Sequence, residues 1–404
     1  MNEKLRVGVI FGGRSGEHEV SLMSARSVLA AIDRTRYEVV EIGISRNGDW
    51  LVGDNVLESL QTASQSGKGA HALAAGTLLP LPARPTLYKI HPDASAFLHA
   101  GATSEPETQS RATPRVEALE ALADLDVIFP VLHGTFGEDG TLQGLLELAD
   151  LAYVGAGVLG AAVGMDKGVF KDVMRAQGIP VLEGFVVLRS EIEKNPQAVL
   201  AQAEEMAPFP LFVKPANLGS SVGVTKCRTR SDLYEGLLEA ARYDRRILIE
   251  RGIEAREIEV SVIGNDDPAA SIPGEIVPSG DFYTYAAKYL DERSQLLIPA
   301  PVSEAVIERA RALALQAYRA IDCAGMARVD FLLEKSASLA PEDHGGLYLN
   351  EVNTIPGFTE ISMYSKLWEA SGLSYSALVD RLIELALERK AQRDRIERQY
   401  EMGR

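Results

Sequence analysis

Gly346–Gly357 reads GLYLNEVNTIPG, and a second short run upstream, Gly325–Leu333, reads GMARVDFLL. Both are β-branched or apolar and bounded by Gly, Pro and polar residues, the pattern of strands. Side chains two apart on a strand share a face. One face of the first strand therefore carries Arg328 and Asp330, and one face of the second carries Leu349, Glu351 and Asn353. Paired antiparallel across Glu334–Gly345, the strands bring Asp330, Glu351 and Asn353 together. That is an all-oxygen set of hard ligands, suited to Mg2+ that keeps waters and phosphate oxygens in its shell. Arg328 beside it is a planar cationic fork for a phosphoryl oxygen. The competing reading is a surface hairpin with solvated charges. It ranks lower, because Glu351 and Asn353 sit between apolar residues and run into an Ile-Pro-Gly turn.

Around this pair, 404 residues suffice for two or three domains with real cores. Apolar residues make up 46% and charged residues 24%, ordinary for a globular chain. A formal net charge of −16 speaks against nucleic-acid binding as the main function, though not against a local basic pocket. Cys227 and Cys323 have no metal-ligand spacing, and a disulfide framework is not expected at this size. Each reads as a small core residue. The chain passes almost directly from Met1 into an apolar strand, and no apolar run is long enough to cross a membrane. The expectation is a cytoplasmic protein with no leader and no membrane partner.

Toward the N-terminus, Leu5–Phe11 (LRVGVIF) is a continuous apolar run of the kind that forms a buried parallel strand. Gly12, Gly13 and Gly16 permit a tight turn, and a helix is expected from Glu17 to about Ile32 with Ser15 as N-cap. Tyr37–Ile44 follows as a strand. This βαβ opening puts a helix N-terminus at the carboxyl end of a strand, a usual ligand position in open α/β sheets. Gly53–Arg115, rich in Ala, Ser, Thr, Pro and Gly, reads as a peripheral insertion, partly loop. Order returns with a buried strand over Leu125–Leu132. His133–Gly144 (HGTFGEDGTLQG) is then a Gly-rich turn entering a helix near Thr141.

Gly155, Gly157 and Gly160 spell a literal G-x-G-x-x-G. The strand before it is thin and its acidic partner unclear, so it reads as a glycine-rich crossing between domains. Beyond it the pattern predicts a helix over Met165–Gly178. Strands are expected at Pro180–Leu188, Phe209–Lys214, Val224–Cys227, Arg246–Glu250 and Glu257–Ile263, with Glu275–Val277 continuing the sheet. Helices are expected over Ala198–Met206, Ser231–Ala241, Ser303–Ile321 and Ser376–Lys390. Ser279–Leu290 (SGDFYTYAAKYL), aromatic, polar and Gly-led, reads as a substrate-covering loop.

No P-loop and no kinase signature occurs. Instead, Lys167 in GMDKG and Lys214 in FVKPANLGSSVG stand near glycine-rich turns. A loop of small residues lets backbone N–H groups approach phosphates, while the lysine supplies a point charge. A solvated surface lysine is the plain alternative, and for Lys214 it conflicts with the apolar run Leu211–Val213 before it. Glu250 and Glu257 flank a segment whose backbone could read adenine and whose carboxylate could read ribose, though strand-end glutamates are commonplace. Glu17 could hold an ammonium group or only complement the helix dipole. His133 could contact a ligand, but a lone histidine is more often structural.

Taken together, the segments resemble one family. They are FGGRSGEHEVSL at 11–22, HGTFGEDGTLQG at 133–144, MDK at 165–167, VKPANLGSSVGV at 213–224, LIE at 248–250, SGDFYTYAAKY at 279–289, ARVDF at 327–331 and LNEVNTIPGFTEISMY at 349–364. In that order, over nearly the whole chain except Gly53–Arg115 and the tail, they are similar to the D-alanine–D-alanine ligases of the ATP-grasp superfamily. The resemblance implies an α/β and α+β, three-domain ATP-grasp architecture with a Rossmann-like N-terminal domain, divided as 1–156, 157–252 and 253–404. It implies ATP-dependent joining of two D-alanines through an acyl phosphate, for peptidoglycan precursor synthesis, and a homodimer.

Position by position, the resemblance implies that Glu17 holds the ammonium of the first D-alanine with His133 near its side. Ser220 and Tyr289 would join Glu17 in a hydrogen-bonded set that closes the lid. Lys167, Lys214 and Lys288 would contact ATP phosphates, and Glu250 and Glu257 adenine and ribose. Ile253 would be the apolar adenine contact, with Phe282 also at the nucleotide. Asp330, Glu351 and Asn353 would ligate two Mg2+ or Mn2+ ions, and Arg328 would stabilise the transferring phosphoryl group. Ser362 and Met363 would line the second D-alanine site. The lid form Tyr285 to Lys288-Tyr289 resembles the dipeptide-forming type, so D-alanine is expected over D-lactate as second substrate. Three readings compete: a D-alanine–D-lactate or other ATP-grasp ligase, a catalytically silent nucleotide-binding protein on the same fold, and a Rossmann oxidoreductase. The last leaves the carboxylate hairpin unexplained.

Overall fold

The computed structural model describes residues 4–66, 73–81, 85–90, 119–277, 295–335 and 346–397. The apolar run at the start becomes β1 (Leu5–Gly12), which pairs in parallel with β2 (Tyr37–Ile44). β3 (Trp50–Val52), β4 (Ala74–Leu78), β5 (Thr86–Ile90) and β6 (Leu119–Asp124) extend the sheet antiparallel from β2. β7 (Val127–Pro130) and β8 (Ala152–Tyr153) complete it in parallel on the other side, giving the order β6-β5-β4-β3-β2-β1-β7-β8. Leu125 and Asp126 alone join β6 to β7, although β5 to β1 lie between them in the hydrogen-bonded order. So short a link requires the sheet to curl. Within Gly53–Arg115, expected to be a peripheral insertion and partly loop, the described residues supply the helix Val56–Ser66, β4 and β5, with Val56, Leu57 and Leu60 in the core.

A second sheet is wholly antiparallel, in the order β11-β10-β12-β9. Its strands are β9 (Gly184–Leu188), β10 (Leu211–Pro215), β11 (Thr225–Cys227) and β12 (Arg246–Arg251). Helices Pro196–Met206 and Arg230–Ala240 cover one face, where Leu211, Val213, Ile247 and Ile249 meet Leu200, Ala203, Leu233 and Leu237. By the strand period of two, the other face presents Phe212, Lys214, Leu248 and Glu250.

The third sheet runs β16-β15-β13-β17-β18. β13 (Ala255–Gly264), β14 (Ala269–Ala270), β15 (Gly274–Val277), β16 (Gln295–Leu297), β17 (Gly325–Glu334) and β18 (Leu347–Asn353) all pair antiparallel. The helix Glu304–Ala320 packs on its apolar side through Ala310, Leu313, Ala314 and Ala317. The helix Tyr375–Arg393 turns back to the first sheet, with Leu378, Val379, Leu382 and Ile383 in one core with Leu22, Val28 and Phe129.

Several expected boundaries move. The helix after β1 is His18–Ala31, and Ser15 does not cap it. Its hydroxyl accepts from Glu17 N at 3.1 Å and donates to His133 O at 2.8 Å, tying the turn to the strand end of β7 instead. The helix expected over Met165–Gly178 is Lys167–Ala176, capped by Asp166, and a further helix, Val158–Met165, precedes it where a glycine-rich crossing was expected. Two glycines of the G-x-G-x-x-G, Gly155 and Gly160, lie where another backbone passes close. A Cβ on Gly160 would lie 3.0 Å from Asp322 O, and one on Gly325 would lie 2.8 Å from Gly155 N.

Candidate active site

The β17–β18 pair forms as its sequence predicts, with Arg328 opposite Asn353 and Asp330 opposite Glu351. The register then slips between Asp330 and Phe331, so Phe331 faces Leu349. This bulge corrects the strict alternation expected for β18. Leu349 turns into the core at 0% exposure, and Asn350 and Glu351 both reach the other side. Asp330 accepts a two-pronged bond from Arg328, Nε to Oδ1 and an Nη to Oδ2, each 2.7 Å. Asn353 Nδ2 donates to Asp330 Oδ2 at 2.9 Å. β13 adds Glu259, opposite Asp330 and buried, with Oε2 3.0 Å from Arg328 Nε. Burial alone would lower the Arg328 pKa, but Asp330 and Glu259 outweigh it and raise it. The donor set for a cation is two carboxylates and an amide, an all-oxygen combination that fits a hard divalent ion.

Facing this pair, Lys214 on β10 donates to Glu250 Oε2 at 2.7 Å and lies 3.5 Å from Asn350 Oδ1. Lys167 donates to Leu218 O at 2.7 Å and stands 3.8 Å from Glu351. Glu250 is buried, and its other oxygen pairs with Lys171. Burial by itself would raise the Glu250 carboxyl, but Lys171 and Lys214 hold it down at about 2.

At the N-terminal side, Ser220 donates to Glu17 Oε1. Ser220 and Ser221 adopt φ of 52° and 58°, so the small-residue loop there is held in the left-handed region. Gly134, at φ +76°, lies against the Glu17 carboxylate, and a Cβ there would lie 2.5 Å from Glu17 Oε2 and displace it. His133 is buried: Nε2 pairs with Ser24 Oγ and Nδ1 with Ile355 O, each at 3.0 Å. Desolvation lowers its pKa and favours the neutral ring. Glu138 accepts from Gly134 N at 2.6 Å and Ile355 N at 3.3 Å. Burial first, then the neighbouring Glu17, pushes it up to about 8.

One cleft of 510 Å³ is lined by Glu17, His133, Lys167, Lys214, Ser220, Glu250, Ile253, Glu257, Arg328, Asp330, Glu351 and Asn353, all singled out from sequence. Ser362 and Met363 do not line it. Ser362 sits at the head of the helix Met363–Ala370, its Oγ accepting from Thr359 N at 3.0 Å, and Met363 packs with Ile276 and Leu367. Phe282, Lys288 and Tyr289 lie outside the described residues. Sequence reasoning missed Lys171, Glu138, Glu259 and Asn350 as site residues. Lys171 lies one helical turn after Lys167, between Phe170 and Asp172, and Glu138 is inside the quoted HGTFGED turn. Both signals are visible only once burial is known. Cys227 and Cys323 are buried, and burial pushes both thiols up to about 12, as befits core residues.

Two family models match the chain, "D-ala D-ala ligase N-terminus" over residues 6–156 and "D-ala D-ala ligase C-terminus" over residues 173–384. The D-alanine–D-alanine ligase of Natranaerobius thermophilus is 45% identical over 97% of this chain and 98% of its own. Among solved structures, VanG D-Ala:D-Ser ligase from Enterococcus faecalis is 30% identical with a TM-score of 0.77, covering 95% of this chain and 100% of its own. The D-alanine–D-alanine ligase from Coxiella burnetii is 34% identical with a TM-score of 0.73, over 97% of both chains.

Proposed function

The chain belongs to the D-alanine–D-alanine ligase family, and from that premise we propose the following roles for its residues. The protein is an ATP-dependent ligase that joins two D-alanines into D-alanyl-D-alanine, a peptidoglycan precursor. A carboxylate is a poor acyl donor, so the first D-alanine carboxylate attacks the γ-phosphate, giving an acyl phosphate and ADP. The amine of the second D-alanine then attacks the acyl carbon, and phosphate leaves.

Glu17, oriented by Ser220, holds the ammonium of the first D-alanine, with neutral His133 at its side. Lys167 and Lys214 take the ATP phosphates, and Glu250, Ile253 and Glu257 the nucleoside. Arg328 meets the transferring phosphoryl group and the oxyanion that follows it. Asp330, Glu351 and Asn353 would hold two Mg2+ or Mn2+ ions, which neutralise phosphate oxygens when bound. Phe282, Lys288 and Tyr289 belong to the lid that excludes water from the acyl phosphate, and Ser362 and Met363 to the second amino-acid site. Division at 156/157 and 252/253, a homodimer and a cytoplasmic setting complete the reading. Among the described residues no helix is long and apolar enough to cross a membrane.

The observation that supports these roles best is one cleft shared by Glu17–Ser220, the lysines and the Arg328–Asp330–Glu351–Asn353 face. Similarity to a D-Ala:D-Ser ligase raises one rival, a different second substrate. Phosphate release from MgATP with D-alanine alone, then with added D-serine or D-lactate, separates them when products are identified by mass. D-alanyl-D-alanine as main product is expected. A mixed product in excess would reverse the second-substrate assignment, and no D-alanine-dependent release would overturn the ligase roles.

A further inference from the structure

We infer that Lys171 is the fixed counter-ion of Glu250, and that by matching this carboxylate it frees Lys214 for the phosphates of a nucleotide. The inference rests on the nucleotide reading of the cleft and concerns a residue that does not line it. Lys171 sits on the helix Lys167–Ala176, one turn after Lys167, with its side chain 1% exposed. It pairs with one oxygen of Glu250, whose side chain is also 1% exposed, while Lys214, at 13%, pairs with the other at 2.7 Å.

At Glu250 itself, two ammonium groups on one carboxylate leave one positive charge in excess. Lys171 cannot be that excess in any useful sense, because its ammonium is walled off from the cleft. Lys214 stands at the cleft edge, 3.5 Å from Asn350 Oδ1 and 5.8 Å from the Phe212 ring centroid, where Glu351 and Glu257 also attract it. It can therefore swing to an incoming anion without leaving Glu250 as a buried, unmatched charge, which would be strongly unfavourable. Without Lys171, Glu250 must retain Lys214, and the phosphates lose it.

A buried ion pair of merely structural value predicts something else: loss of stability, with every ligand affected alike. The measurement that separates the two is the ratio of MgATP to adenosine affinity, by calorimetry on the full chain without D-alanine. Adenosine has no phosphates, so it reports the nucleoside side alone. Lys171→Met should lower the ratio about ten- to a hundredfold, as expected for one charge-assisted bond. Lys214→Met should do the same, and the double variant should be no worse than either single change, because both remove one interaction. Lys171→Arg should keep the native ratio. Lys171→Met/Glu250→Gln, in which no charge needs matching, should also recover it, and this variant decides the matter if Lys171→Met alone does not fold. An unchanged ratio in Lys171→Met, additive losses in the double variant, or a low ratio in the neutral pair would overturn the inference. D-alanine-dependent ADP release by the native protein is read in parallel. Its absence would sink the ligase reading while leaving ATP binding to test Lys171.

Discussion

Glu351 and Glu138 are both cleft-side carboxyls, and their surroundings give them opposite tasks. Glu351 stands opposite Asp330, with Lys167 at 3.8 Å, in a cluster of full charges. Glu351→Gln keeps the shape and removes a charged donor for the proposed cations. It should cut D-alanine-dependent ADP release at least about a hundredfold, with the melting temperature nearly unchanged. Turnover close to native would sink the cation assignment. Glu138 lies in a buried turn facing Glu17, His133 and Arg328, and its carboxyl is pushed up to about 8 from the usual 4.5. A carboxyl raised in the folded state contributes stability that is present below its unfolded pKa and is lost as pH rises through the folded value. Glu138→Gln cannot titrate. Its stability relative to the native chain should therefore improve from about pH 6 to about pH 9 in urea denaturation. A gap that is flat across that range would contradict the raised pKa. Neither environment was legible at the residue level, because a one-letter code carries charge but not burial.

At the scale of elements, the β17–β18 hairpin was legible because period-two alternation and its Gly and Pro bounds are local. The bulge after Asp330 was not, since a slipped register depends on how both strands pack across the sheet. The helix Val158–Met165 was hidden by its own glycines, which read as a loop. They are small because this helix and the preceding turn pass close to another backbone. Gly325 shows the constraint from the partner side: its φ is +71°, and a Cβ would lie 2.8 Å from Gly155 N. Gly325→Ala is expected to cost about 1–3 kcal/mol, read from the shift of a chemical denaturation midpoint. A neutral substitution would mean that the two segments can part without penalty.

For the whole molecule, the helix Tyr375–Arg393 joins the ends of the chain. Besides its apolar face on the first sheet, Arg389 donates to Gly155 O at 2.6 Å, and Asp380 pairs with Arg36 at 2.7 Å. Leu382 is fully buried in a core that also contains Ile263, Met326 and Trp368 from the C-terminal part. Leu382→Ala should destabilise by about 2–5 kcal/mol and should do so for both ends together. The chain has two tryptophans, Trp50 on β3 and Trp368 beside β13, so single-tryptophan variants can follow each end by fluorescence. Coincident midpoints, shifted equally, are expected, and separate transitions would show that the shared core does not couple them. What the sequence by itself determined is whatever local pattern dictates: the strongly patterned strands and helices, the Gly-rich turns, the paired strands that carry Asp330, Glu351 and Asn353, and the ordered segments that identify the family. Only the tertiary structure decided which charges are buried and with whom. It paired Lys171 with Glu250 and Glu259 with Arg328, hung Glu138 on Ile355, and drew Ala74–Leu78 and Thr86–Ile90 into the first sheet. The physical reason is that the ionic state and partner of a side chain are set by desolvation and by neighbours remote in sequence, and no window along the chain contains either.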